Sequence, residues 1–323
     1  MQSLVLRFLW YKFTILLSKC TCFAYFGILW LCSFLSSRRQ AVKFSSFITE
    51  WESTHVGVPQ GTKLGPILFV IMINDLALKS PLKANHWKYV DDMSLSEVIN
   101  INIDTPPRLQ SGLDQISIWS KNNNMNLNPK KCKEMIICPL KNILDLDSLS
   151  INNIPLDIVS SHKILGLKMM DTLKWNDNSK NTITKASKRI YIIRPQDLIH
   201  IYLTLIRPVL EYCCAVWSNS IPVYLSEKIE KVQKRVMRIV FPDLHYTDAL
   251  SVAKCDRLDE RRLKLCLKVL SNIKHPNSRL NHLLPPTRQE STSMNLRNSS
   301  CLSLPKCRTD RYTKNFFPAM AYI

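Results

Sequence analysis

Gly57-Val58-Pro59-Gln60-Gly61-Thr62-Lys63-Leu64-Gly65-Pro66-Ile67-Leu68-Phe69 reads as a tight loop running into a helix, and Tyr89-Val90-Asp91-Asp92 begins 28 positions beyond Gly61. Gly57 and Gly61 free the loop backbone for close approach to a ligand. Pro66 suits the first turn of a helix. Ile67, Leu68, Ile71, Met72 and Leu76 follow at helical spacing, predicting a helix over 66–78. Trp87 to Leu95 reads as a tight hairpin with Asp91-Asp92 at its tip. Successive strand residues point to opposite faces, so only one of the two carboxylates can face a shared site. Either signal alone is weak, since adjacent acids commonly form a solvated turn.

Upstream, Val42, Phe44, Phe47 and Trp51 lie in a 40–54 segment that predicts one or two strands. Downstream, Leu113, Ile116 and Trp119 predict a helix over 109–121, Asn122–Asn128 a polar turn, and Glu134–Cys138 a strand. Further strands are expected near 151–159 and 162–170. From about Asn181 the chain turns helical and basic. Leu203, Ile206, Leu210 and Cys213 form one stripe; Lys228, Lys231, Lys234, Arg235 and Arg238 form a charged face. Another helix is expected over 254–273, and the Ser-, Pro- and Arg-rich tail from Pro285 predicts poor order. The fold class is α+β: residues 1–175 a mixed front domain, 176–285 a basic helical region, and 286–323 a basic tail.

The chain is long enough for two cores, with 323 residues and 46% hydrophobic content. Six glycines argue against phosphate loops and dinucleotide folds. Forty-four Lys and Arg against 25 Asp and Glu leave +19, which favours a polyanionic partner, nucleic acid or an anionic membrane surface. Eleven cysteines and seven histidines show no zinc spacing. Cys20 with Cys22, and Cys213 with Cys214, read as core thiols in a reducing compartment, nucleus or cytoplasm. Cys20–Ser37 gives eighteen uncharged residues, either a buried helix or a short membrane segment.

Taken together, the two opening motifs resemble those of the palm in LINE-type (non-LTR retrotransposon) reverse transcriptases, the G-x-P-Q-G turn-helix and the Y-x-D-D hairpin. The resemblance implies an antiparallel palm sheet with helices, followed by a thumb-like helical region. It implies RNA-templated DNA synthesis from deoxynucleotides on a DNA primer, with Mg2+ as cofactor and Mn2+ as the alternative ion. Asp91 would be the metal ligand and Asp92 its assistant. Gly57, Pro59, Gln60, Gly61 and Tyr89 would lie beside nucleotide and template. Trp119–Met135, with Leu127-Asn128-Pro129-Lys130-Lys131-Cys132, is similar to the next palm motif, and its lysine maps onto Lys131, which would neutralise departing pyrophosphate. A solvated turn among Lys121, Lys130, Lys131 and Lys133 is the plainer reading. His162–Trp175 is similar to the primer-grip hairpin, and Ile201–Trp217, with the helix at 225–240, resembles the thumb. Leu304–Asp310 and Phe316-Phe317-Pro318 are similar to the family's C-terminal segment.

The resemblance also breaks. Thr14–Lys19 aligns with the stretch after the family's first catalytic motif, which puts Phe8 on its phenylalanine and Leu9 where its aspartate belongs. Leucine cannot ligate a metal ion. No counterpart of the family's fingers precedes it. Asp75 reads as a cap or pairing residue. The expectation is therefore a polymerase fragment inactive in this form, with a non-catalytic nucleic-acid-binding protein and a membrane-anchored protein as the alternatives. Burial of 20–37 would exclude the last of these. Oligomeric state is not legible.

Overall fold

The computed structural model describes residues 23–54, 57, 59, 61–78, 85–100, 109–138, 146–190, 197–287, 302, 303, 306 and 313–317. By contacts the chain divides into a first unit, residues 1–134 with 146–157, and a second, 135–145 with 158–323.

The described part of the first unit opens with α1 (Phe23–Leu35), of which Phe26, Leu29 and Trp30 are exposed; Trp30 stacks on Phe34 at 5.6 Å. Residues 20–22 lie outside the described residues, and among the described side chains of 23–37 only Leu35 is buried, so burial that would exclude a membrane role is not observed there. Four short strands follow where one or two were expected: β1 (Arg38–Gln40), β2 (Lys43–Phe44), β3 (Phe47–Ile48) and β4 (Glu52–Thr54). They form nested antiparallel hairpins, β1 on β4 and β2 on β3. Helix α2 spans Leu64–Ile73, shorter at its end than the predicted 66–78. The ammonium of Lys88 accounts for this stop: it donates to the carbonyls of Ile73, Asn74 and Leu76, which a continuing helix would use internally.

Strands β5 (Asn85–Tyr89) and β6 (Asp92–Ser96) form the expected hairpin in full register. Helix α3 (Leu109–Asn122) packs on β6 through Gly112, whose missing Cβ would lie 4.0 Å from Leu95. Glu97 caps it by accepting from the Leu109 amide. The predicted strand 134–138 shrinks to β7 (Lys133–Glu134), because Glu134 turns its carboxylate to the Leu149 amide and the following residues leave extended pairing. The 151–159 region holds β8 (Ser150–Ile151), β9 (Ile154–Pro155) and β10 (Asp157–Ile158). Asn152 and Asn153, both at positive φ, close β8–β9 as a two-residue turn. Gln110 fastens α3 to β8, its amide exchanging two 2.9 Å hydrogen bonds with the Ser150 backbone. Among the described residues strands pair only in twos, as ribbons rather than a wide sheet.

In the second unit, 162–170 is a hairpin, β11 (Ser161–Ile164) with β12 (Leu167–Met170). Helix α4 (Asn176–Ile190) starts five residues earlier than the sequence suggested, as Asn178 accepts from the Lys168 amide. A helical run follows, continuous to Glu211 and broken at Tyr212 and Cys213: α5 (Leu198–Ile201), a π-helical turn over Tyr202–Ile206, α6 (Arg207–Glu211) and, past the break, α7 (Cys214–Trp217). Its buried stripe is Leu198, Tyr202, Ile206, Leu210, Cys214 and Trp217. Cys213, expected in that stripe, is exposed: its left-handed backbone (φ +48°) breaks the helix and hands the inward position to Cys214. Among the described residues, Leu198–Ser220 is long and apolar enough to cross a membrane, but this inward stripe belongs to the core.

Helix α8 (Val223–Val240) buries Leu225, Ile229, Val232 and Val236 at helical spacing and leaves Lys228, Lys231, Lys234, Arg235 and Arg238 exposed. After α9 (Tyr246–Val252), α10 (Leu258–Lys274) starts later than the predicted 254, because Glu230 of α8 accepts from the Leu258 amide and caps it there. Glu230 belongs to a buried network. Tyr202 donates to Gln233, Gln233 donates to Tyr246 at 3.0 Å, and Tyr246 donates to Glu230. Burial pushes both tyrosine hydroxyls well above their ordinary range, so they remain donors.

Candidate active site

The loop and the hairpin singled out by sequence both lie in the first unit. Gly57 and Gly61 take φ +81° and +80°, the left-handed region, and a Cβ at either would meet nothing within 4 Å. Backbone angle, not space, therefore calls for glycine. Arg38 ties this loop to α1, donating at once to the Leu35 carbonyl (3.1 Å) and the Gly57 carbonyl (2.6 Å). Pro59 is half-buried, and Thr62 donates to its carbonyl at 2.9 Å. The same hydroxyl accepts from the Gly65 amide at 3.2 Å, so Thr62 caps α2. Gln60 lies outside the described residues, as do Phe8 and Leu9.

Asp91 occupies the two-residue turn of the β5–β6 hairpin, and Asp92 opens β6 opposite Tyr89. Both carboxylates are exposed, and Tyr89 is 64% exposed. Val90, the other turn residue, has φ +55°. For a β-branched residue that conformation costs roughly 1–3 kcal/mol and persists only where the surroundings impose it. Directly opposed residues share a face of the ribbon. Tyr89 with Asp92 therefore faces one way, and Lys88 with Met93 the other.

Lys131 is exposed in a turn closed by Asn128, whose side chain accepts from the Lys130 amide and whose carbonyl accepts from the Lys131 amide. Its neighbour Lys133 pairs with Asp157 at 2.5 Å. Among the described residues no hydrogen bond joins this turn to the Asp91 hairpin.

A divalent cation of the Mg2+ type takes about six oxygen ligands, and two-ion centres need carboxylates beyond one adjacent pair. Among the described residues, no group of three His, Cys, Asp or Glu side chains gathers. Asp91 and Asp92 alone do not fit a complete two-ion centre.

Residues 11–169 match the family model described as "Reverse transcriptase (RNA-dependent DNA polymerase)". Those residues form a reverse transcriptase domain. The chain is 23% identical over 229 residues to the "Probable RNA-directed DNA polymerase from transposon X-element" of Drosophila melanogaster, covering 67% of the chain and 25% of that protein. It is 25% identical over 243 residues to the "Probable RNA-directed DNA polymerase from transposon BS" of the same organism, again 67% and 25%. To the "RNA-directed DNA polymerase from mobile element jockey" it is 22% identical over 272 residues, 76% of the chain and 29% of that protein. The chain spans about a quarter of the length of these curated relatives. Transposon relatives agree with the LINE-type resemblance of the Gly57 loop and the Tyr89–Asp92 hairpin.

Two residues that the sequence did not single out fasten local elements, one in each unit. Nothing in the local pattern around Lys88 shows that its ammonium reaches the carbonyls of Ile73, Asn74 and Leu76. Tyr212 donates to the Leu165 carbonyl at 2.8 Å and lays its ring on Gly166, 3.3 Å from where a Cβ would stand. The tyrosine thereby fixes the β11–β12 turn within the second unit. Its place in the Arg207–Tyr212 motif was the available signal.

Proposed function

We propose that this chain is the hairpin-bearing and duplex-holding part of a retrotransposon RNA-directed DNA polymerase, whose reaction adds deoxynucleotides to a DNA primer on an RNA template. The observation that carries the proposal is the Tyr89–Asp92 hairpin, with two carboxylates exposed at a strained turn. Residues 1–175 act as the palm, the helices to 285 as the thumb, and the tail adds positive charge. Gly57, Pro59, Gln60 and Gly61 border the incoming nucleotide, Asp91 and Asp92 supply the metal-binding carboxylates, and Lys131 neutralises pyrophosphate. The absence of disulfides among the described cysteines supports a nuclear or cytoplasmic setting.

With Leu9 at the place of the first aspartate, the chain synthesises little DNA. The test is Mg2+-dependent primer extension on RNA with the chain as it stands, Leu9→Asp, and Leu9→Asp with Asp91→Asn. Synthesis is expected to rise with the first substitution and vanish with the second. Equal synthesis in all three would sink the assignment.

A second reading, nucleic-acid binding without synthesis, is favoured by the exposed cations of α8. Lys228 and Lys234 are held 5.7 Å and 5.1 Å from the Tyr224 and Tyr246 ring centres. Such a face grips phosphates without reading sequence. Lys231→Ala with Arg238→Ala is expected to lower the slope of log K against log salt by about 1–2 on an RNA–DNA duplex. An unchanged slope would remove this face from the interface.

A further inference from the structure

Lys88 is placed to do more than decorate a strand. Its side chain lies on the ribbon face opposite Tyr89 and Asp92, and its ammonium reaches the end of α2 and the residues just past it. There it donates to the carbonyls of Leu76 (2.8 Å), Ile73 (3.2 Å) and Asn74 (3.3 Å). An ammonium has three donors and no acceptor, so three converging carbonyls saturate it. Ile73 closes α2, Asn74 is its C-cap and Leu76 lies two residues further on; the Ile73 carbonyl also accepts from the Leu76 amide at 3.2 Å, and α2 carries no basic residue in its own last turn. A cation there also meets the negative end of the helix dipole. Donor number, acceptor number and charge all match.

The position of this contact gives it a consequence. The start of α2 is set by the Gly57–Gly61 loop through Thr62, and its end is held by Lys88. The same lysine sits one residue before Tyr89 and three before Asp91. One helix of ten residues thus spans from the nucleotide-side loop to the hairpin, fastened at both ends. Turning Lys88 inward obliges Tyr89 and Asp92 to turn outward, because neighbours on a strand alternate.

We propose that Lys88 is a positioning residue for the Asp91–Asp92 hairpin, setting its orientation and its distance from the Gly57–Gly61 loop through the C-terminus of α2. This rests on the polymerase reading given above. A guanidinium can reach the same carbonyls but is planar, so arginine restores the charge and only part of the geometry.

The experiment compares Lys88, Lys88→Met and Lys88→Arg in two assays. Hydrogen exchange on the full chain reads the amides of 85–96 and 73–76, with the helices of 223–274 as the folding control. Lys88→Met is expected to speed exchange at both sites at least tenfold while the control helices stay protected, and Lys88→Arg to recover part of the protection. Primer extension in the Leu9→Asp background reads kcat and KM. A drop in kcat of order 10–100-fold for Lys88→Met is expected, with KM for template–primer unchanged, since an ångström of misplacement can cost about a hundredfold. Exchange at 85–96 unaltered in Lys88→Met, or Lys88→Arg as impaired as Lys88→Met, overturns the proposal. Should Leu9→Asp make no DNA at all, the polymerase reading fails, and the exchange comparison still decides whether Lys88 holds the hairpin.

Discussion

The two units hold their important residues in opposite ways. In the first, the family motifs stand at exposed turns, and apolar side chains around them stay open: Phe44 is 80% and Phe47 78% exposed. Its described parts are joined by discrete polar ties, Arg38 on Leu35 and Gly57, Lys88 on the end of α2, Gln110 on Ser150. In the second, Tyr202, Ile206, Leu225, Ile229 and Val236 reach 0% exposure in one cluster made by interlocking helices. Family membership and packing are thus separable properties. Motif residues serve chemistry at a surface, whereas core residues serve volume filling, and a chain can be rich in one where it is sparse in the other.

The sharpest way to break this contrast is truncation. Leu225→Ala or Ile229→Ala is expected to cost about 2–5 kcal/mol, and Phe44→Ala to stay within about 0.5 kcal/mol, both read by urea unfolding of α-helical circular dichroism. Comparable losses at the two places would erase the distinction. Next in size is the buried network. Glu230→Gln weakens the acceptor for Tyr246 and for the Leu258 amide, and a loss of about 1–3 kcal/mol is expected in the same assay. Val90→Gly should act in the other direction, relieving its φ of +55° and stabilising the first unit by about 1 kcal/mol while lowering primer extension. Stabilisation without loss of synthesis would show that the strain has no role in function.

The smallest effect is a pH dependence in the second unit. The hydrogen bond from Arg257 holds the Asp259 carboxyl below its ordinary range. Its contribution is fully present above the unfolded value of about 3.9 and is lost as pH falls through the lowered folded value. The pair is largely solvent-exposed, so screening keeps the effect under about 1 kcal/mol. Asp259→Asn is expected to flatten the acid limb of stability below about pH 4, measured as urea midpoints against pH.

Much of this was legible in the chain before any coordinates. The hairpin at Tyr89–Asp92, the helix near 109–121 and the basic face of α8 each follow from short-range pattern: alternation, helical spacing, charge at every third or fourth residue. Errors fell where a distant group intervened. Helix α2 stops at Ile73 because Lys88 takes its carbonyls, α10 starts at Leu258 because Glu230 takes its first amide, and Cys214 replaces Cys213 inside because one backbone angle reverses. Sequence alone determined the resemblance to reverse transcriptases and the residues that carry it, since those rest on residue type and local spacing. Only the tertiary structure decided where elements end and what holds the hairpin in place. Those outcomes depend on hydrogen-bond partners between 12 and 28 positions away, and no local pattern encodes which distant side chain will satisfy a helix end.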